Sequence, residues 1–246
     1  MRDRGTRFTA RRINVREERV KGSTSGAHYA DLAARAKSNS AISPYCVPNE
    51  FIYQKLGDWL GLPVAGGIVI EREWDDQNFL YAAFDFSQDG ERFPPVVPED
   101  CVMALPTVCT GIVLFDIFIA NSDRSRNNLF FDADSQTPYL LLFDHECALL
   151  GATANQAEAR LTGSVKNHLG IPGHCLKSLT SVQSLMESAW MQRINNLPDY
   201  LIEDVCREAA PYGMTPPETD AVIAFLSERR SSLLSLIQRH KSEFAE

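Results

Sequence analysis

A long apolar run places the strongest limit on how this chain can fold. Residues Val102–Ala120 are hydrophobic on most faces of a helix, a pattern typical of a helix buried inside a core. The run leads directly into a polar segment, residues 121–128. The chain has 246 residues, enough for one large domain or two small lobes around such a helix. We therefore expect a globular protein whose central helix ends in a polar loop at the edge of the core.

Two short apolar stretches after this loop predict a hairpin. Leu129–Phe131 and Tyr139–Phe143 have the composition of strands, and residues 132–135 between them favour a turn. A hairpin brings its two ends together. Asp144, directly after the second strand, is therefore expected to lie near Asn128.

Asp123, Asn128 and Asp144 are of the residue types that phosphoryl transfer requires. One Asp can accept or orient the proton of a substrate hydroxyl, while an Asn and a second Asp hold Mg²⁺ against phosphates. The alternative is an ordinary Asx-rich loop with structural turns. The buried helix before the loop and the Asp after the hairpin favour the catalytic interpretation, with Asn128 and Asp144 as metal ligands.

The same segment resembles the catalytic loop of the HipA-like kinases, which are related to phosphatidylinositol kinases. The matching pattern is N-x-D-R-x-x-x-N over residues 121–128, and Asp144 lies where the family has its metal-binding Asp. His145 stands where protein kinases have the Phe of Asp-Phe-Gly, so an in/out switch of that type is not implied. The resemblance implies an α+β, two-lobed protein-kinase-like fold with a small β-rich N-lobe and a larger helical C-lobe. The implied division is residues 1–86 for the N-lobe, 87–100 for the hinge and 101–246 for the C-lobe.

The resemblance also implies a lysine and glutamate pair in the N-lobe. Glu50 lies where the family's helix Glu holds an ATP-binding Lys. Lys37 is the preferred partner, at the end of a predicted strand, His28–Lys37. Arg35, on the same face of that strand, and Lys21 are the alternatives.

Two further segments are expected to contact ATP. Gly22, Ser23 and Gly26 belong to a loop whose backbone can approach phosphates, although a flexible hairpin tip has the same composition. Phe84 and Phe86 precede the predicted hinge, where the adenine of a kinase usually lies. The implied cofactors are therefore ATP and Mg²⁺.

The remaining elements follow from periodicity and turn residues. We predict a helix at Asn49–Leu60, strands at Val64–Glu71 and Asn78–Phe86, and mainly helices beyond Gly151. Arg124 is expected either to brace the polar loop or to contact phosphate, and His145 either to support the metal Asp or to fill a core position.

Charge and composition indicate which classes of partner this protein is expected to bind. The formal net charge of −8 argues against direct nucleic-acid binding, although residues 1–22 contain seven arginines that form either a solvated terminus or an arm for an acidic partner. No stretch approaches the roughly 18 apolar residues that a membrane helix needs. The six cysteines show no paired spacing. We therefore expect a cytoplasmic protein with reduced thiols and no membrane association.

The sequence thus predicts an ATP- and Mg²⁺-dependent kinase that phosphorylates a Ser or Thr hydroxyl of a protein substrate. The resemblance adds a toxin or regulatory role and an antitoxin-like protein partner. The alternatives are a non-catalytic pseudokinase that binds nucleotide or a partner, and a lipid or small-molecule kinase. The presence of Asp123, Asn128 and Asp144 argues against the pseudokinase.

Overall fold

The structure is a computed structural model that describes residues 13–21, 24, 27–72, 79–85, 93–133, 137–153 and 157–246. Its strands are β1 (Ile13–Arg19), β2 (His28–Leu32), β3 (Ala34–Ser38), β4 (Gly67–Glu71), β5 (Phe79–Phe84), β6 (Leu129–Asp132) and β7 (Tyr139–Leu142). Its α-helices are α1 (Cys46–Leu60), α2 (Pro98–Ala104), α3 (Pro106–Phe118), α4 (Ala157–Ala159), α5 (Val182–Glu187), α6 (Ala189–Asn195), α7 (Asp199–Ala209) and α8 (Pro216–Arg239). A π-helical turn, Arg160–Ser164, extends α4.

Two antiparallel sheets form the small N-terminal part. β1 pairs with β2, and a separate three-stranded sheet has the order β3-β5-β4. The predicted strand His28–Lys37 is therefore wrong as a single element, because β2 and β3 belong to different sheets. The break falls at Ala33, whose carbonyl accepts a hydrogen bond from the Asp85 N–H at 2.9 Å, at the end of β5.

Helix α1 connects this sheet to the helical remainder. It begins at Cys46, earlier than predicted, because Pro48 lies in the first turn, where a missing N–H costs nothing. It ends at Gly61, which takes a left-handed φ of 79° that favours glycine. Ile52 and Leu56 are fully buried, and α1 packs on β5 and on α7. The helix thus carries its N-terminal residues to the boundary between sheet and helices.

The predicted apolar helix Val102–Ala120 is two helices. Pro106 ends α2 and begins α3, which turns away from it by 118°. A proline disfavours helical backbone in the residue before it and lacks an N–H for the preceding helix, so the chain bends at Leu105. The expectation of burial is confirmed for α3, which lies in the core from Cys109 to Phe118.

The hairpin after α3 joins the two parts of the fold. β6 and β7 pair antiparallel, with Leu129 opposite Leu142. Leu142 also bonds to the segment after α1, because its carbonyl accepts from Ala65 at 2.7 Å and its N–H donates to Pro63 at 2.9 Å. The end of β7 is thereby fixed at the junction between the three-stranded sheet and the helices.

The C-terminal part is helical, as predicted. Helix α8 begins with a capping box in which Thr215 and Glu218 satisfy each other's backbone N–H groups.

All six cysteines are described, and each is free. Within the described ranges no single helix is long and apolar enough to cross a membrane, although α2 and α3 together satisfy the length and composition criteria as a bent pair.

Candidate active site

A buried aspartate on α3 organises the polar loop that follows the helix. Asp116 accepts from Arg124 Nε at 2.8 Å and from Asn121 Nδ2 at 3.0 Å. His174 Nε2 lies 3.0 Å from Asp116 Oδ2, the same oxygen that accepts from Arg124 Nε. Both Asp116 and Arg124 have fully buried side chains. Their pairing therefore fixes the loop to the core rather than to solvent.

The charges of this cluster follow from burial and contact. Burial raises the pKa of Asp116, but the Arg124 charge and the His174 hydrogen bond outweigh it, so the pKa lies well below its usual range. Burial also lowers the pKa of His174. His174 Nδ1 accepts the Leu176 N–H at 3.1 Å, so its proton sits on Nε2 and is donated to Asp116. The cluster is a charged Asp–Arg pair with a neutral histidine.

Arg124 connects the loop to the hairpin. Its Nη1 donates to the carbonyl of Asn128 at 2.8 Å and to that of Phe143 at 3.1 Å. The Phe143 N–H in turn lies 3.4 Å from the Asn128 carbonyl. Arg124 thus braces the loop, one of the two roles expected for it. The predicted approach of the two hairpin ends is confirmed at these residues.

Asp123 and Asn128 are fixed relative to each other. Asn128 Nδ2 donates to the Asp123 carbonyl at 2.6 Å and lies 3.4 Å from Asp123 Oδ2. The Asp123 N–H points to Asn121 Oδ1 at 3.3 Å. Asn128 is buried, whereas the Asp123 side chain is exposed. The arrangement presents a carboxylate to solvent from a rigid loop and leaves the Asn128 amide oxygen for another ligand.

Asp144 meets a lysine and a glutamate from the N-terminal part. Lys37 Nζ lies 2.5 Å from Asp144 Oδ1 and 2.8 Å from Glu50 Oε1. The same Glu50 oxygen accepts the His145 N–H at 3.0 Å. Asp144 adopts a left-handed φ of 64°, which Asp and Asn tolerate better than most residues. One buried glutamate therefore positions both the lysine and the backbone that carries Asp144.

The lysine is charged. Burial lowers the pKa of Lys37, but Glu50 and Asp144 outweigh burial and raise it above its ordinary value. Glu146 Oε2 adds a third carboxylate at 3.8 Å. Of the other two candidates for the lysine position, Lys21 is exposed in a turn and Arg35 lies at the cavity described below.

His145 links this group to the Asp116 cluster. It is fully buried and stacks on Tyr53, with an angle of 10° between the ring planes. Its Nε2 accepts a short hydrogen bond from Arg124 Nη2. Burial, reinforced by the Arg124 charge, holds the pKa of His145 well below its usual value. The ring is therefore neutral and fills a core position, one of the two roles expected for it.

A cavity of about 180 Å³ opens beside Lys37 and Asp144. Its lining is mostly apolar and includes Phe84. Arg35 and Asp85 lie on the same cavity and form an ion pair, with Nε and Oδ2 3.5 Å apart. The remaining lining residues are Glu50, Tyr53, Ala65, Tyr81, Ala83, Phe93, Leu142, Phe143 and His145. Gly22, Ser23, Gly26 and Phe86 lie outside the described residues.

The donor set suits Mg²⁺ together with phosphate. Magnesium takes one or two protein oxygen ligands and completes its octahedron with water and substrate phosphates. Asn128 and Asp144 supply an amide oxygen and a carboxylate, and the Asn128 backbone is hydrogen-bonded to that of Phe143, the residue before Asp144. In the described part of the chain, no three His, Cys, Asp or Glu side chains form a metal cluster of their own.

Three supporting residues were not predicted. Asp116 holds the loop, Glu146 lies near Lys37, and Asn49 donates to the Glu146 carbonyl at 2.8 Å. A lone acidic residue inside an apolar helix is a usable signal, because a buried charge requires a partner. Asn49 and Glu146 gave no comparable signal.

Comparison with solved structures identifies the fold. The crystal structure of the Helicobacter pylori proinflammatory kinase CtkA matches with a TM-score of 0.61 and 14% identity, over 96% of this chain and 98% of that one. A chain of the Shewanella oneidensis MR-1 toxin–antitoxin complex of HipA, HipB and operator DNA matches at 0.40 and 13%, over 93% of this chain and 63% of that one. No protein-family model and no curated protein sequence matches. The likeness to CtkA confirms the α+β, kinase-like fold, with its small sheet region and larger helical part.

Proposed function

We propose that this chain is an ATP- and Mg²⁺-dependent kinase that transfers the γ-phosphoryl group to a Ser or Thr hydroxyl of a protein substrate. The meeting of Lys37, Glu50 and Asp144 at one end of an apolar cavity carries the proposal. A fixed ammonium group suits phosphate, an adjacent carboxylate suits a divalent cation, and the apolar walls suit a base.

Each residue of this group has a proposed role. Lys37 orients the α- and β-phosphates, and Glu50 holds its ammonium group in place. Asn128 and Asp144 would hold Mg²⁺ through their side-chain oxygens, and the ion would supply positive charge next to the phosphates. Phosphates at Lys37 would compete with Asp144 for its ammonium group, which would leave the Asp144 carboxylate able to hold a cation.

Asp123 is the residue we propose to act on the acceptor. Its carboxylate is exposed, so a side chain of another protein can reach it. Its backbone is held by Asn121 and Asn128, so little freedom is lost when an acceptor hydroxyl binds. In this position Asp123 accepts a hydrogen bond from the hydroxyl and directs its oxygen towards the phosphate.

The remaining parts of the proposal rest on the sequence and the fold. Gly22, Ser23 and Gly26 cover the phosphates, and Phe84 and Phe86 border the base. Residues 1–86, 87–100 and 101–246 serve as N-lobe, hinge and C-lobe. A cytoplasmic toxin or regulator with an antitoxin-like partner is the biological setting, supported by the resemblance to HipA-like kinases.

Two conservative substitutions test the proposed roles. Asp144→Asn keeps the left-handed backbone acceptable but removes the metal-binding charge. It should abolish the Mg²⁺-dependent part of the thermal stabilisation by ATP. Asp123→Asn should leave that stabilisation intact and lower phosphoryl transfer at least about 100-fold, the scale of general acid–base catalysis. Thermal shift and transfer of labelled phosphate to the chain or to a generic protein acceptor supply the two measurements.

Asp204→Asn is the matched control, because Asp204 is an exposed aspartate on α7. It should behave as wild type in both assays. Stabilisation of the wild type by Mg²⁺-ATP without detectable transfer would favour the pseudokinase alternative. A wild type that neither binds nucleotide nor transfers phosphate would refute the proposal.

A further inference from the structure

We infer that Arg35 covers the nucleobase of the bound nucleotide and that Asp85 holds its guanidinium group in place. The inference deepens the proposed function and rests on nucleotide binding in the cavity. It assigns Arg35 to the base end of the site, whereas the sequence left it as an alternative to Lys37 for phosphate.

Strand β3 sets the spacing between the two basic residues. Arg35 and Lys37 are two residues apart, so both side chains lie on the same face of β3, and both line the cavity. Their Cα atoms are separated by roughly 6.6 Å along the strand, twice the rise per residue. Lys37 Nζ lies 2.5 Å from Asp144 Oδ1, so the lysine side chain is held at the Asp144 end of the cavity. Arg35 therefore lies about one ribose width away from the phosphate end.

The pairing of β3 with β5 places Arg35 beside the apolar part of the cavity. Arg35 lies opposite Ala83, next to Phe84 in the neighbouring strand. Ala83 is small, which leaves room for a planar group against the sheet. Leu142 lines the same cavity from β7. A flat ring bound here lies between a guanidinium plane and an apolar wall.

Asp85 restricts where the guanidinium group can go. Its side chain is only 9% exposed, whereas that of Arg35 is 51% exposed. Asp85 is fixed at the end of β5 by the bond from its own N–H to Ala33. A buried carboxylate on a fixed backbone holds the arginine at the cavity wall. Guanidinium planes stack on nucleobases and on other π-systems.

Three ligands separate a base contact from a phosphate contact. ATP carries both groups, adenosine carries only the base and ribose, and inorganic tripolyphosphate carries only the phosphates. Arg35→Met keeps the apolar stem but removes the guanidinium group. It should lower the affinities for ATP and adenosine by the same factor, about tenfold, and leave the affinity for tripolyphosphate unchanged. Lys37→Met should lower the affinities for ATP and tripolyphosphate and leave the affinity for adenosine unchanged.

Arg239→Met is the matched control, because Arg239 is exposed at the end of α8. Calorimetry or ligand-detected NMR gives the affinities, and a melting curve shows that each variant is folded. As a single substitution, Asp85→Asn should lower the affinity for adenosine. Combined with Arg35→Met it should lower that affinity little further, because both changes act on one contact.

The outcomes separate this inference from the proposed function. If the wild type binds ATP and Arg35→Met binds adenosine equally well, the base role of Arg35 is overturned while the kinase proposal stands. Loss of tripolyphosphate binding in Arg35→Met, with adenosine unaffected, would instead make Arg35 a phosphate ligand. A wild type that binds none of the three ligands would overturn both.

Discussion

The two buried histidines predict that the fold loses stability in mild acid. His145 and His174 are neutral inside the core, and burial holds both pKa values below 6.5. In the unfolded chain each returns to about 6.5. Below that pH the unfolded state therefore binds protons that the folded state does not, so the free energy of unfolding falls as the pH falls.

The size of the effect follows from linkage. A histidine that stays neutral in the fold contributes a loss of about 1.4 kcal/mol between pH 7.5 and 5.5, so two contribute up to about 2.8 kcal/mol. For a chain of this length, that loss corresponds to a fall in Tm of roughly 5 to 10 °C. Asp116 has a depressed pKa, so its contribution is present above about pH 4 and is lost only at lower pH. The two pH windows are therefore separate.

Urea unfolding at several pH values between 7.5 and 5.5 measures the slope. His145→Gln and His174→Gln keep an acceptor for Arg124 and a donor for Asp116, respectively, and each should remove its own share of the slope. His28→Gln is the control, because His28 is exposed on β2. A wild-type stability that stays constant over this range, or Gln variants that keep the full slope, would show that the buried rings take up protons without penalty.

Two further substitutions test the core around the loop. Asp116→Asn leaves the fully buried Arg124 without its counter-charge, and we expect a loss of about 3–5 kcal/mol in the free energy of unfolding. An Asp116→Asn variant as stable as wild type would contradict the buried pairing. Gly111→Ala places a Cβ 2.7 Å from the Trp190 ring between α3 and α6, and we expect a loss of about 1–3 kcal/mol by urea unfolding. Gly163→Ala is its control, since nothing lies within 4 Å of that Cβ.

Much of the candidate site was readable from spacing. The hairpin that returns Phe143 to Asn128 followed from two apolar stretches and a turn, and the Lys37–Glu50 pair followed from a family resemblance. The first prediction depends on a local pattern that a single sequence carries, and the second depends on motifs shared with a known family. Their catalytic and binding roles stay predictions until they are measured.

Other features were missed for two different reasons. Pro106 was visible in the sequence, and its effect on the residue before it predicts the break between α2 and α3. The separation of β2 from β3 had no local signal, because it depends on Ala33 receiving a bond from Asp85. Asp116 lies between these cases, since its burial required a cationic partner that the sequence did not identify.

The contacts of Lys37 and Glu50 with Asp144 and His145 join residues that are far apart in the sequence, which affects when this site can form during folding. Lys37 and Asp144 are 107 positions apart and Glu50 and His145 are 95 apart, so their contacts form only after a long segment of the chain has folded back on itself. A fragment that ends before β7 lacks the carboxylate altogether, and one that begins after α1 lacks the amine. A chain shortened in either of these ways therefore cannot form this group of contacts.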